Sequence, residues 1–596
     1  MKPLGASLHP GGATFRVWAP RSRTVDVVLE GRRPEPMARG EDGIFEHTVA
    51  GATAGTRYEY RLNGERYRPD PVSRWQPEGV HGPSAVVDAA EYPWMDQGFR
   101  GHARADLVFY ELHVGTFTAP GTFEAVIPHL GALVDLGVTT VEIMPVAEFP
   151  GSRNWGYDGV HLYAPQSTYG GPRGLRRLVD ACHAVGLSVV LDVVYNHLGP
   201  EGNYLAEFGP YFTDRYKTPW GGAVNFDGPD AAGVRRHVIE NARAWAREFH
   251  VDGLRLDAIH AIFDASPVHV LSEVAAAGRS EAERFGRPFH VVAESHDNDR
   301  RIVLSRDAGG LGLDGVWSDD FHHAVHVALT GERGGYYVDF SDAALLPKAI
   351  AEGFAFQGQA SEYFGATRGT PSADLPGDHF VVAIQNHDQV GNRAQGDRLG
   401  TTVASEAVKA AAAVLFATPA LPLLFMGEEY GETAPFQFFT SFLDPELIEA
   451  VRRGRAAEFS RFAWQGSVPD SAEPATFVRS RLNHALASAP RHRELREYYR
   501  TWLALRRTHP ALGSRGKERT TASIDAERVL TVSRVGAGGE RLTLVVNLGA
   551  ERKAPPASLH APEWRVLIDS ADPRFAGSGE RTPLGPWQAL LLEAAR

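Results

Sequence analysis

Apolar and polar positions alternate in short runs over the first hundred residues. "TFRVWAP" (14–20), "TVDVVLE" (24–30), "GIFEHTVAG" (43–51) and "TRYEYRLNG" (56–64) turn roughly every second side chain to one apolar face. Gly, Pro and Asn punctuate them closely. This period of two, broken by turn residues, predicts an immunoglobulin-like β-sandwich over 1–98. From about residue 106 the pattern changes to near-continuous apolar runs: "LVFYELHV", "TTVEIMPV", "LSVVLDVVYNH", "GLRLDA", "FHVVAES", "LDGVWSDD", "FVVAIQNHD" and "LPLLFMGEEY". Several are separated by stretches with apolar residues three and four apart, such as "TFEAVIPHLGALVDLG" and "GLRRLVDACHAVG", which is helical spacing. Eight strand–helix alternations predict a catalytic (β/α)8 TIM barrel over 99–512, with a doubly wound open sheet as the alternative. The barrel must carry loop insertions. The plainest is a Gly-, Pro- and aromatic-rich segment at about 198–230. After the helical "LREYYRTWLALRRTHPAL", alternation returns in "RVLTVSRVG", "ERLTLVVNLG", "EWRVLIDS" and "WQALLLEAA". These predict a C-terminal β-sandwich over 513–596. The expected architecture is multidomain α/β.

Composition narrows the partners. Of 596 residues 43% are apolar and 22% charged, and the net charge is −12. Without a basic run, nucleic acid is not an expected partner. No stretch approaches the roughly 18 apolar residues of a membrane span, so a membrane is not expected either. "MKPLGASLHPGG" lacks the apolar core of a signal peptide, and the one cysteine, Cys182, suits a reducing compartment. A cytoplasmic location is expected, with Cys182 in the core.

Polar residues concentrate where the middle strands end. The third ends in Asp192, Asn196 and His197; the fourth in Arg255 and Asp257; the fifth in Glu294. The sixth ends in Asp319 and Asp320, with His322 and His323 beyond, and the seventh in Asn386, His387 and Asp388. A single Asp at a strand end is usually a cap. Five of eight strands ending this way is a different matter, because parallel barrel strands share one C-terminal face and active sites lie there. The residue types then select the chemistry. There is no His-Glu-x-x-His or cysteine cluster for a metal, no Gly-x-Ser-x-Gly elbow and no phosphate loop. Carboxylate chemistry remains. Retaining glycoside hydrolysis needs two carboxyls about 5–5.5 Å apart, and Asp257 and Glu294 end strands expected to lie about 4.8 Å apart.

Four segments carry a family resemblance. "DVVYNH" (192–197), "GLRLDAIH" (253–260), "VVAES" (291–295) and "QNHDQ" (385–389) resemble, in order and strand position, the four signature regions of the α-amylase superfamily of glycoside hydrolases. "NWGYDG" (154–159) is similar to that superfamily's loop after the second strand. The three-domain plan resembles its branching and debranching members. The resemblance implies that Asp257 is the nucleophile, Glu294 the general acid/base and Asp388 the transition-state stabiliser. Arg255 would keep Asp257 ionised, His197 and His387 would bond sugar hydroxyls, and Tyr157 would stack on the sugar. Glu294 must begin the cycle carrying a proton.

Within the superfamily, "DVVYNHLGPEGNYL" and "WSDDFHHA" are most similar to the trehalohydrolases, which release trehalose from maltooligosyl trehalose. The resemblance then places His260, Asp319, Asp320, His323, Gln389 and Asn392 along the substrate groove, with Asp319, Asp320 and Phe321 as walls on the leaving-group side. Maltooligosyl trehalose and related α-glucans are the expected partners. No cofactor or metal is expected, although calcium near the first signature region stays open. The alternatives are a 1,4-α-glucan branching or debranching enzyme and, in a different class, a non-catalytic glucan-binding protein. The latter should have lost one of the three acids.

Overall fold

The computed structural model describes residues 2–459, 468–554, 564–579 and 583–595. Its centre is a closed parallel barrel of eight strands in sequence order: β1 (Phe109–Leu112), β2 (Thr140–Ile143), β3 (Ser188–Val193), β4 (Gly253–Leu256), β5 (His290–Ala293), β6 (Gly315–Trp317), β7 (Phe380–Ala383) and β8 (Leu421–Phe425). β1 pairs with both β2 and β8, so the sheet has no edge. That closure excludes the doubly wound alternative. All four residues of β4 are buried. Continuous burial is why these strands read as unbroken apolar runs rather than alternating ones. Phe109, Val190, Val292, Trp317, Val381 and Leu423 belong to one packed cluster of barrel residues.

Most connections are helical: α1 (Leu130–Leu136), α2 (Gly171–Ala184), α3 (Ala231–Glu248), α4 (Val270–Ala282), α5 (Asp319–Thr330) and α6 (Ser405–Ala417), with α7 (Pro490–Thr508) after β8. Cys182 is fully buried on α2. The connection from β5 to β6 has only two 3-10 turns, and that from β6 to β7 carries a further helix, Leu345–Glu352, and a hairpin. No helix of the described residues is long and apolar enough to cross a membrane.

The N-terminal region is a two-layer sandwich of a four-stranded and a five-stranded sheet. Trp18 and Tyr58 belong to its structure. Tyr58 donates to the buried Asp70, and Trp18 packs edge-on against Tyr211 of the insertion after β3. The insertion also holds the sandwich through Glu207, which pairs with Arg68 at 2.9 Å. Among the described residues the C-terminal region, expected as a β-sandwich, forms one five-stranded antiparallel sheet, running from Thr520–Ile524 to Ala589–Ala594 in sequence. α6 packs on its strand Arg541–Asn547. The bridge between Lys553 and Leu584 adds backbone pairing outside this sheet, and Leu584 packs with Val529, Val545 and Leu592.

Candidate active site

The fully buried Arg255, on β4, organises the C-terminal mouth of the barrel. Strand register sets Asp192 of β3 beside it. One nitrogen, Nη1, donates to Asp192 Oδ2 at 2.8 Å and to Asp257 Oδ1 at 2.9 Å. The other, Nη2, lies 3.0 Å from Glu294 Oε2. Leu256 pairs with Ala293, so the next residues, Asp257 and Glu294, emerge side by side from adjacent strands. Asn196 Nδ2 donates to Asp257 Oδ2 at 2.6 Å. Both Asp257 oxygens are therefore held by donors, which fixes the rotamer.

Directly after Asp257 the backbone bends into the left-handed region. Ala258 has φ 40°, uncommon for a residue with a Cβ. The bend turns the Ala258 N–H onto Glu294 Oε2 at 2.7 Å. Asp388 enters from the helical turn His387–Gly391 after β7, whose N-terminus is capped by Asn386. Its Oδ1 accepts from Asn392 Nδ2 at 2.6 Å. Burial, with the negative charges of Glu294 and Asp257 nearby, raises the Asp388 carboxyl to about 6, against the pull of His387 and Arg255.

Asp257, Glu294 and Asp388 line one cavity of about 470 Å³. Tyr157 lines it too. The loop presenting Tyr157 needs Gly156, which has φ +110° and leaves a Cβ only 2.0 Å from the Pro145 carbonyl oxygen. The Tyr157 hydroxyl donates to Asp192 Oδ2 at 2.7 Å, and its ring stacks on His387 at 5.3 Å. His387 lies between two partners: Nδ1 is 2.5 Å from Glu111 Oε1 and Nε2 is 2.8 Å from the Tyr157 hydroxyl.

Three family models match the chain. The α-amylase catalytic domain matches 87–218, the carbohydrate-binding module 48 (isoamylase N-terminal domain) 3–75, and a domain of unknown function 517–591. A crystal structure from Salmonella typhimurium is 42% identical, with 100% of each chain covered and a TM-score of 0.90. The malto-oligosyltrehalose trehalohydrolase of Saccharolobus solfataricus is 46% identical over 85% of this chain and 87% of its own. That of Rhizobium sp. (strain M-11) is 43% identical over 98% of both. The chain belongs to the malto-oligosyltrehalose trehalohydrolases.

In this trehalohydrolase-family chain, the other expected groove residues divide. His197, His260, Asp319, His323, Gln389 and Asn392 line the cavity with the three acids. Arg255 lies beneath it, bonded to two of those acids. Asp320 is not in the wall. It is fully buried, with Oδ2 accepting from Asn298 Nδ2, Ala355 N–H and Phe356 N–H, and with Oδ1 2.8 Å from Arg368. Phe321 is likewise in the core. Asp319 opens helix α5, where each residue turns the side chain by about 100°. Asp319 and His323, four apart, therefore share the cavity face, and Asp320 and Phe321 turn away. The two histidines expected to bond hydroxyls are both engaged: His197 Nε2 lies 3.0 Å from the Tyr157 carbonyl, and Nδ1 contacts the Asn196 side-chain oxygen. A sugar hydroxyl would have to displace one of these partners. After β8, Glu428, Glu429 and Tyr430 are buried, and Tyr499 donates to Glu428 Oε1.

Two groups of residues escaped the sequence reading. Glu111, inside β1, is the partner of His387; its sign in the sequence is a lone carboxylate in an apolar strand. The others are rim aromatics from the insertions: Trp220, stacked on His197 at 4.3 Å, and Tyr363 and Phe364, which line the same cavity. They sit in segments without periodicity.

Burial works against a charged His387, but the charge of Glu111 and its hydrogen bond outweigh it and raise the imidazole to about 9. The folded value exceeds the unfolded one of about 6.5. The pair's stabilisation is thus fully present below pH 6.5 and is lost as pH rises through 9, about 3 kcal/mol in all. In Glu111→Gln burial acts without its main opponent. The His387 titration midpoint, read by NMR, should fall from near 9 to below 6.5. A midpoint that stays near 9 would exclude Glu111 as the cause.

Proposed function

We propose that the chain is a retaining glycoside hydrolase that cleaves the α-1,4 bond next to the trehalose unit of maltooligosyl trehalose and releases trehalose. The observation that carries the mechanism is the joint hold of Arg255 on Asp257 and Glu294. Two carboxyls leaving adjacent strands and bound to one guanidinium fit the close spacing of retention. Inversion needs a wider gap, about 6.5–9.5 Å, for water between them.

Asp257, held as carboxylate by Arg255 and Asn196, attacks the anomeric carbon of the sugar over Tyr157. Glu294 protonates the departing glycosidic oxygen. The Ala258 N–H donates to its Oε2, and the Arg255 guanidinium lies 3.0 Å from the same oxygen. Trehalose leaves with that proton on its hydroxyl. Glu294, now the carboxylate, takes a proton from water as the water attacks the glycosyl–Asp257 ester. This frees the maltooligosaccharide and restores both acids. Asp388 stabilises the oxocarbenium-like charge in both steps. His197, His260, Asp319, His323, His387, Gln389 and Asn392 hold the chain along the groove. The substrate assignment rests on the trehalohydrolase relatives, and the location proposed is cytoplasmic.

Maltotriosyl trehalose and maltopentaose both contain five glucose units, which makes them a fair pair of substrates. The expected products are trehalose and maltotriose from the first, with little maltose from the second. Equal cleavage of both, or new α-1,6 branches, would overturn the trehalohydrolase assignment.

A further inference from the structure

We propose that the cleft between the N-terminal region and the start of helix α2 binds a phosphate monoester of a small sugar, with Trp75, Arg173 and Arg176 taking the phosphate. The cleft is a cavity of about 410 Å³ and shares no wall residue with the catalytic one. One wall comes from the N-terminal region and its connection to the barrel, including Trp75, Val86 and Tyr92. The other is the first turns of α2, including Pro172, Arg173 and Arg176.

Three groups in these walls have donor capacity that the chain leaves unused. Arg176 is only 4% exposed. Its Nε donates to the Glu248 carbonyl at 3.0 Å and its Nη1 to the Asp88 carbonyl at 3.4 Å, but Nη2 has no hydrogen-bond partner among the described residues. A buried guanidinium nitrogen without an acceptor is costly unless a ligand supplies one. Arg173, three residues earlier on the same helix face, is exposed and forms no ion pair among the described residues. The half-buried Trp75 donates its indole N–H to none of them either. Gly171 makes room for that indole: its φ is +58°, and a Cβ there would come within 3.2 Å of the indole nitrogen. The helix N-cap, Gly170, has no side chain to cap the first turn. The positive end of the helix therefore adds to the attraction for an anion.

The donors select the ligand. A carboxylate is matched by a planar fork of two nitrogens, and Arg176 has only one left to give. A tetrahedral phosphate, with three terminal oxygens, accepts single donors from several sides. Bare phosphate would leave most of the 410 Å³ empty, a volume within the range of small-molecule sites. The remaining wall offers what a sugar ring needs. Val86, Tyr92 and Pro93 present apolar surface, and the carboxylates of Asp88 and Glu91 can accept from hydroxyls. Those two carboxylates oppose a bare anion, so an ester that brings hydroxyls to them fits better than phosphate alone. Arg177 is already paired with Glu124 at 2.5 Å and adds little to the balance.

Calorimetry on the full chain tests this with glucose 6-phosphate, inorganic phosphate and glucose, on the parent and on Arg173→Ala, Trp75→Phe and Arg176→Lys. Arg173 is exposed and Trp75→Phe keeps a ring, so these two serve if Arg176→Lys folds poorly; thermal unfolding checks each. One glucose 6-phosphate should bind per chain, about 10-fold or more tighter than phosphate or glucose, and each variant should weaken it about 10-fold or more. Glucose binding as tightly as its phosphate would overturn the anion assignment, and inorganic phosphate doing so would overturn the ester. No binding, or binding unchanged in all three variants, would overturn the site itself.

Discussion

Asp257→Ala lowers kcat on maltotriosyl trehalose by on the order of 10⁵-fold, the largest effect expected of any single substitution here. The variant should still fold. Arg255 keeps Asp192 and Glu294 as partners, and Asn196 Nδ2 keeps the residue-257 carbonyl, which it also reaches at 2.7 Å. The thermal transition should therefore stay within a few degrees of the parent's. The space left by the carboxyl adjoins the cavity, so added azide should enter and attack from the same face. It would displace trehalose directly and yield a β-glycosyl azide. Loss of rate together with that product identifies Asp257 as the attacking group. A variant within a hundredfold of the parent removes it from that role.

Glu294→Gln is expected to cost about 10²–10⁴-fold on the same substrate. Glutamine is close in shape, and its carbonyl oxygen can accept from the Ala258 N–H as Glu294 Oε2 does. What disappears is the proton for the leaving oxygen. A maltosyl fluoride needs no such proton, because fluoride departs unaided. Its first step should run near the parental rate and the second should stall for want of a base. Mass spectrometry should then find the covalent glycosyl adduct on Asp257. If the fluoride is slowed as much as the natural substrate and no adduct forms, Glu294 is not the acid/base.

These two variants concern residues that stand out in the chain, because a carboxylate ending an apolar run is a costly placement that invites explanation. Asp257, Glu294 and Asp388 each sit at such an end, and the closed barrel brings them to one mouth. Asp319 and Asp320 read alike for the same reason, and there the reading failed for one of the two. Adjacent letters at a helix start turn about 100° apart, so one faces the cavity and the other accepts from backbone N–H groups 35 and 36 residues onward, at Ala355 and Phe356.

Period and spacing sufficed, from the sequence alone, for the eight buried strands, the order of the three regions and the carboxylates of the barrel mouth. These are local properties: burial on both faces demands unbroken apolar runs, and charge at their ends marks the one exposed rim. The tertiary structure alone decided who pairs with whom. Glu111 and His387 are 276 residues apart, and no pattern along the chain couples them. Nor does periodicity announce that Tyr363 and Phe364 line the cavity. Irregular segments carry no repeating signal, because their conformation is set by contacts such as Asp339 with Ser361 and Asp320 with Arg368 rather than by backbone preference. The acids were legible because strands placed them; the aromatic rim of the cavity was not, because long-range contacts did.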